Sequence, residues 1–430
     1  MTYRAVVDHV AVPAPLDPLW GVLFAAAFFA AALLTARRPA FGLCALILTL
    51  PAAFAHDALA TTVTLPKTVL LGVLLGLTTY AGAVRLLRRR SAAVLLGTLA
   101  LYTLVTALSV LDAANAAATL RETLKWVEYA ALFLAAYLCY RLDPDDALLA
   151  GTVAVAAIVV AASALVQEAA GAPSGLYIGS AIVPRVAGLL EGPNQLSAYA
   201  SIAVAALGAW AIAARRPLVD AALGLIVLAD ALTFSRAGIA SLLAVVAVLV
   251  AWSGRRAWPS LRPAVFGAIA GLLGAAWWAF YAHTPGVLRV TLAPSAYAGG
   301  VGNRSELWAA ALRMWRDRPL LGVGAGNFEL DLPRYGVYGV RTHANSWYLQ
   351  SLAEGGVLLF LATLALIAAP FAAFLRAPVV VRLRAQSPWV AAALAASVAL
   401  ALHQVVDDFV FFPKVGGAWW LLLGVAAAAL

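Results

Sequence analysis

The residues of this chain best suited to chemistry are its histidines, a few isolated arginines and one glycine-punctuated run. His343 stands in RTHANSWYLQSLAEGG (341–356), close to Asn345, Ser346 and Glu354 and just before a long apolar run. An imidazole of reference pKa about 6.5 is neutral at physiological pH and can take a proton from a hydroxyl. The same residue also suits the lead-in to a helix, and the stretch taken alone leaves both roles open. His403 and Asp407 are four apart, one helical turn, so a hydrogen bond between them is expected. None of the five histidines has a second His or Cys at metal-ligand spacing, so no metal site is expected.

Three arginines stand apart from the rest. Arg185 leads into EGPNQLSAYA, which contains Asn194; Arg236 sits in FSRAG between two apolar segments; Arg304 opens a stretch of mixed character. Guanidinium forks match phosphate and diphosphate oxygens. If the fold brings these arginines together, they can hold one anion. Each also has a structural alternative. Ser235 and Arg236, with Asp230 as partner, can cap a tight hairpin, and arginines along 304–316 can snorkel to lipid headgroups. The run LLGVGAGNF spaces Gly322, Gly324 and Gly326 two apart, without the ending of a Walker loop or a preceding strand. It reads as a flexible turn after Pro319, the alternative being backbone N–H groups aimed at a phosphate.

The elements that must position these residues follow from composition. The chain has 430 residues, 64% hydrophobic and 11% charged, against roughly 45–50% and about 25% for soluble domains. This implies an all-α polytopic membrane protein. No cleavable signal peptide is expected. Cys44 and Cys139 fall in apolar segments, which argues against a disulfide framework. Runs near the roughly 20 apolar residues that a bilayer-crossing helix needs occur at 19–36, 40–55, 67–84, 91–111, 124–141, 147–168, 194–214, 217–234, 237–252, 263–282, 346–375, 388–406 and 416–430. That gives about 12–13 transmembrane helices.

The net charge of +9 would suggest nucleic acid in a soluble protein. Here the positive-inside rule accounts for it, and no nucleic acid is expected. Alternate connectors hold Arg37–Arg38, Arg85, Arg88–Arg90, Arg141, Arg215–Arg216, Arg255–Arg256, Arg262, Arg376, Arg382 and Arg384. The acids beside them are Asp143, Asp145, Asp146 and Asp220. The arginine-rich side is therefore expected in the cytoplasm. Segments near 168–194, 235–236, 283–345 and 407–415 then lie outside it. The longest of these, 283–345, contains an expected amphipathic helix. Asn303 or Ser305 would cap it, and Leu307, Trp308, Ala311, Leu312 and Trp315 would form its apolar face at the outer interface. The expected organisation is N-terminal helices over 1–168, central helices over 169–282, a long outer loop over 283–345 and C-terminal helices over 346–430.

Five stretches resemble the O-antigen ligase and O-antigen polymerase superfamily: RVAGLLEGPNQLSAYA (185–200), TFSRAGIASLL (233–243), NRSELWAAALRMWRDRPLLGVGAGNF (303–328), THANSWYLQSLAEGG (342–356) and HQVVDDFVFFP (403–413). The resemblance implies a GT-C type membrane glycosyltransferase that uses no cofactor and inverts its substrate without a metal. Such an enzyme would sit in the bacterial inner membrane with its active site facing the periplasm. The implied donor is a glycan on undecaprenyl diphosphate. The implied acceptor is lipid A–core for a ligase, or a lipid-linked repeat for a polymerase. By resemblance His343 is the base, and Arg185, Arg236 and Arg304 bind the diphosphate. Asn194, Asn345, Ser346, Glu354, His403 and Asp407 are implied in support. The ligase pattern ends in Gly-x-x-Gly, and counting back from Gly356 puts its histidine at Asn345, so His343 lies two residues early.

A lipid-glycan flippase, a solute transporter or a non-catalytic assembly subunit are the rival classes. Transporters favour internal repeats and midplane charges, whereas here charges gather at span ends around one asymmetric loop.

Overall fold

The protein, seen in a computed structural model, is an all-α polytopic membrane bundle with two short hairpins at one end. The structure describes residues 18–52, 55–58, 61–82, 85–86, 89–171, 174–178, 181–214, 216–254, 259, 261–262, 267, 269–271, 304–339, 342–377 and 387–430. The expected span 263–282 lies mostly outside them, as do His9, His283, Arg341 and the proposed cap Asn303.

The first half runs α1 (Pro18–Arg37), α2 (Pro39–Thr49), the β1–β2 hairpin (Ala55–Ala58, Thr61–Thr64), α3 (Leu65–Leu77), α4 (Arg90–Leu108), α5 (Ala116–Leu142) and α6 (Asp146–Ala169). The β3–β4 hairpin (Ser174–Ile178, Ala181–Arg185) leads into α7 (Pro193–Ala213), α8 (Pro217–Ala231) and α9 (Arg236–Ser253). Then come α10 (Arg304–Asp317), the single turn α11 (Phe328–Asp331), α12 (Trp347–Arg376), α13 (Pro388–His403) and α14 (Pro413–Ala429). Six helices among the described residues are long and apolar enough to cross a membrane: α1, α4, α6, α7, α9 and α12.

Two expected spans end early, for local reasons. Helix α2 stops at Thr49, two residues before Pro51, which has no N–H to continue the helical ladder. Helix α3 stops at Leu77, where the Thr78 and Thr79 hydroxyls bond back to the carbonyls of Leu75 and Gly76. At 11 and 13 residues, and about 1.5 Å of rise each, both helices fall well short of the roughly 30 Å hydrocarbon core.

The amphipathic helix forms as α10, but it is not laid on the bilayer alone. Leu307, Ala310, Ala311 and Met314 are buried against Val323, Phe328, Leu332 and Ala353. The buried stripe is thus turned from the expected one, with Trp308 and Trp315 only half-buried at its edges.

The glycine run explains that docking. It is neither flexible nor available to a phosphate. Helix α12 breaks at Gly356 (φ 62°, ψ −159°), which strips carbonyls of their helical donors. The N–H groups of Val323 and Gly324 donate to Ala353 O and Glu354 O at 2.9 Å each, and Val357 N–H donates to Pro319 O at 2.8 Å. A buried break in a membrane protein needs such replacement, because each unsatisfied group costs several kcal/mol. Gly322 has φ +64°, and a Cβ there would lie 2.4 Å from Ala353 O, so only glycine allows the approach.

Candidate functional site

The site lies at the start of α12, where five stretches of chain come together. The lead-in 342–346 carries His343. The turn 404–412 after α13 carries Asp407. The end of β4 and the first turn of α7 bring Arg185 and Asn194, and the starts of α9 and α10 bring Arg236 and Arg304.

Asp407 is the centre. Its side chain is 4% exposed. Oδ2 accepts from Asn194 Nδ2 at 2.8 Å, and Oδ1 accepts from the Asp408 N–H at 2.9 Å. Asn194 Oδ1 in turn accepts from an Arg185 guanidinium nitrogen at 2.8 Å, while Arg185 Nε donates to Thr233 O. A directed chain therefore runs from guanidinium to amide to carboxylate. Backbone holds the turn in place, since Trp347 N–H donates to both Asp407 O and Gln404 O.

Arg185 lies within electrostatic reach of the other two arginines. Burial pulls its pKa down to about 10, Asp407 opposes this, and the positive fields of Arg304 and Arg236 add to the lowering. It remains cationic at neutral pH. Ser235 caps α9, its hydroxyl accepting from Gly238 N–H at 3.2 Å, as expected of the tight turn. That leaves Arg236 as the first helical residue, exposed, with its charge felt at Arg185.

His343 approaches from the opposite side. Its Nε2 lies 3.9 Å from Asp407 Oδ1, too far for a hydrogen bond. Its Nδ1 accepts from Asn345 N–H at 3.1 Å. The proton of the neutral ring therefore sits on Nε2, facing Asp407. Phe411 and Phe412 wall the ring at centroid distances of 5.6 and 5.7 Å. Burial pulls the imidazole pKa below its ordinary value, Asp407 opposes, and Arg304 and Lys125 reinforce the lowering. The ring is thereby kept neutral.

The neighbours of His343 serve the backbone. Asn345 takes a left-handed φ of +51°, which turns its N–H onto the imidazole. Ser346 is the N-cap of α12, its hydroxyl accepting from Leu349 N–H. Glu354 points away: its Oε1 accepts from Phe328 N–H at 3.1 Å and from Gln350 Nε2 at 2.8 Å, fastening the glycine-rich turn. The expected His403–Asp407 bond is absent. Helix α13 ends at His403, so the four-residue spacing no longer brings the two side chains together. His403 instead packs edge-on against Phe409 at 4.4 Å, its Nδ1 without a hydrogen-bond partner among the described residues.

Sequence reasoning did not single out Lys125 or Asp408. Lys125, on α5, pairs with Glu122 at 2.5 Å and lies 5.1 Å above the Phe411 ring. The spacing of Arg121, Glu122, Lys125 and Glu128 was the available signal, because charges at the mouth of an apolar span are costly. Asp408 is buried, and burial pushes its carboxyl up to about 7.

Among known families, residues 221–364 match the family model for O-antigen ligase. That match includes Arg236, Arg304 and His343 but not Arg185, Asn194 or Asp407, which packing alone brings to the site. A search of curated proteins gave no match.

Proposed function

We propose that this chain, which matches the O-antigen ligase family model over residues 221–364, belongs to the O-antigen ligase and polymerase superfamily and is an O-antigen ligase. In this reading it moves a glycan from undecaprenyl diphosphate to a hydroxyl of lipid A–core on the periplasmic face of the inner membrane. The observation that carries the reading is the Arg185–Asn194–Asp407 hydrogen-bond chain with His343 beside it, in the positive fields of Arg236 and Arg304. Cations that stabilise a leaving diphosphate then stand beside groups able to take a hydroxyl proton.

The reaction is an inverting displacement. The acceptor oxygen attacks the anomeric carbon, the bond from that carbon to the diphosphate oxygen breaks, and the glycan is joined to the acceptor. The arginines are preorganised for the charge that grows on the diphosphate, and one lost donor of this kind costs about 10²–10³ in rate. The hydroxyl proton goes to the His343–Asp407 pair. With Nδ1 occupied by Asn345 N–H, the nearer acceptor is the Asp407 carboxylate. The Nε2–H of His343 holds the nucleophilic oxygen in line.

The test is transfer by the purified protein in proteoliposomes, with an undecaprenyl-diphosphate-linked glycan as donor and lipid A–core as acceptor. Arg236→Ala should lose about 10²–10³ of the rate while still inserting. Product formed only with a second lipid-linked repeat would make it a polymerase. Absence of any product with either acceptor would refute the glycosyltransferase reading.

A further inference from the structure

At the opposite end of the bundle, α4 begins and α12 ends side by side. Arg90, the first residue of α4, and Arg376, the last of α12, form the walls of an open cleft whose floor is Ala93 and Val94. Both arginines are exposed, and among the described residues neither has an ion pair. Three carboxylates of this end are engaged elsewhere. Asp143 and Asp145 hold Arg38 at 3.0 and 2.6 Å, and Asp146 accepts from Tyr140 and from the Trp389 indole. Ser91 ties the start of α4 to the end of α14 through Ala427 O at 3.1 Å, which fixes one wall of the cleft.

We infer that this cleft is a binding site for the headgroup of an anionic phospholipid, with Arg90 and Arg376 gripping the phosphate from two helices. Guanidinium groups suit a phosphate diester. Basic clefts between helices at the membrane surface are where such headgroups bind. Ala93 and Val94 give the glycerol and upper acyl chain an apolar surface just below the charges. A dissolved phosphate would use the arginines but gain nothing from that floor, so the lipid is the favoured source of the anion. The inference is independent of the glycosyltransferase reading.

The test is native mass spectrometry of the full chain in micelles doped with phosphatidylglycerol or phosphatidylcholine. Unfolding temperature is measured alongside. Wild-type protein should retain phosphatidylglycerol about tenfold or more over phosphatidylcholine, the scale expected for charge-assisted contacts to two arginines. Arg90→Gln with Arg376→Gln should erase that preference. Arg37→Gln with Arg216→Gln, which removes equal charge elsewhere at the same end, should keep it. Val94→Phe, which fills the floor and leaves both arginines, should also weaken retention, so the outcome does not depend on the double variant folding. Equal retention of the two lipids by wild type, unchanged retention in the Arg90/Arg376 variant, or displacement of the lipid by millimolar inorganic phosphate would each overturn the inference.

Discussion

Replacing Asp407 by asparagine is nearly isosteric, yet it reverses the polarity of the chain that organises the site. Arg185 donates to Asn194, Asn194 donates to Asp407 Oδ2, and Asp408 N–H donates to Asp407 Oδ1. Asparagine has one oxygen where aspartate has two. If its amide nitrogen takes the Oδ2 place, it faces the Asn194 amide as donor to donor. If Asn194 flips to relieve that, its nitrogen faces Arg185. If the nitrogen takes the Oδ1 place, it faces Asp408 N–H. Every arrangement leaves one buried donor without an acceptor, a cost of about 1–3 kcal/mol. Separately, the proposed proton acceptor is gone, which removes about 10²–10⁴ of the rate.

The two losses can be separated. Asn194→Asp combined with Asp407→Asn restores the polarity. The carboxylate now at position 194 accepts both from Arg185 and from the amide introduced at position 407. The oxygen of that amide accepts from Asp408 N–H. The double variant should therefore recover unfolding temperature but not transfer. Single-turnover transfer in proteoliposomes and thermal unfolding in detergent read the two quantities. An Asp407→Asn rate within about threefold of wild type, far inside the range for loss of a general base, would refute the role given to the carboxylate. Recovery of rate in the double variant would show that Asp407 acts only by holding Arg185.

His343→Ala should lower transfer by about 10²–10³, the scale of one lost preorganised donor, with little change in unfolding temperature, while His343→Gln, which keeps an N–H donor, should lose less; equal losses would show that the ring itself carries the proton. Because burial holds the folded imidazole below its ordinary pKa, the unfolded chain binds the extra proton first as pH falls below about 6.5. The stabilising share of His343 is thus complete above that pH and lost beneath it. Unfolding of wild type and His343→Gln between pH 5 and 7.5 should show the difference, with wild type the more acid-sensitive. Asp408 has the opposite sign: its folded pKa is raised to about 7, so its ionisation costs stability as pH rises. Asp408→Asn should then help at least about 1 kcal/mol more at pH 8 than at pH 5.5, one pKa unit being about 1.4 kcal/mol; equal effects at the two pH values would contradict it. Gly356→Ala meets φ +62° and a Cβ 2.3 Å from the Leu320 carbonyl carbon, so it should destabilise by at least about 1–3 kcal/mol, and an unchanged melting curve would count against the break in α12.

The helices were legible because crossing a bilayer demands length and apolarity, which any window of sequence displays. Their true ends were less so, because Pro51 and the Thr78–Thr79 hydroxyls act within one turn and leave mean hydropathy almost unchanged. In the site, Arg185, Arg236, Arg304 and His343 stood out singly as polar residues at the ends of apolar runs. Their meeting could not be read, since each comes from a different stretch of chain and only packing joins them. The same limit made Gly322–Gly326 look loose. What rigidifies that run is a pair of carbonyls freed by Gly356, some thirty residues later. Lys125 was hidden for another reason: in a window dominated by apolar neighbours, one cation barely registers.

The break at Gly356 also decides how the site experiences its surroundings. Residues 357–376 form a shaft whose tilt follows the thickness of the bilayer. Residues 347–355 are spliced to the 319–324 segment and to α10, and the shaft is tied to that segment through Val357 N–H to Pro319 O and to residues 347–355 through Thr363 to Ser351. The helix that leads from the membrane into the site is two mechanical parts, joined through a third. A lean of the shaft therefore reaches the start of the helix through those few bonds and not through a continuous hydrogen-bond ladder.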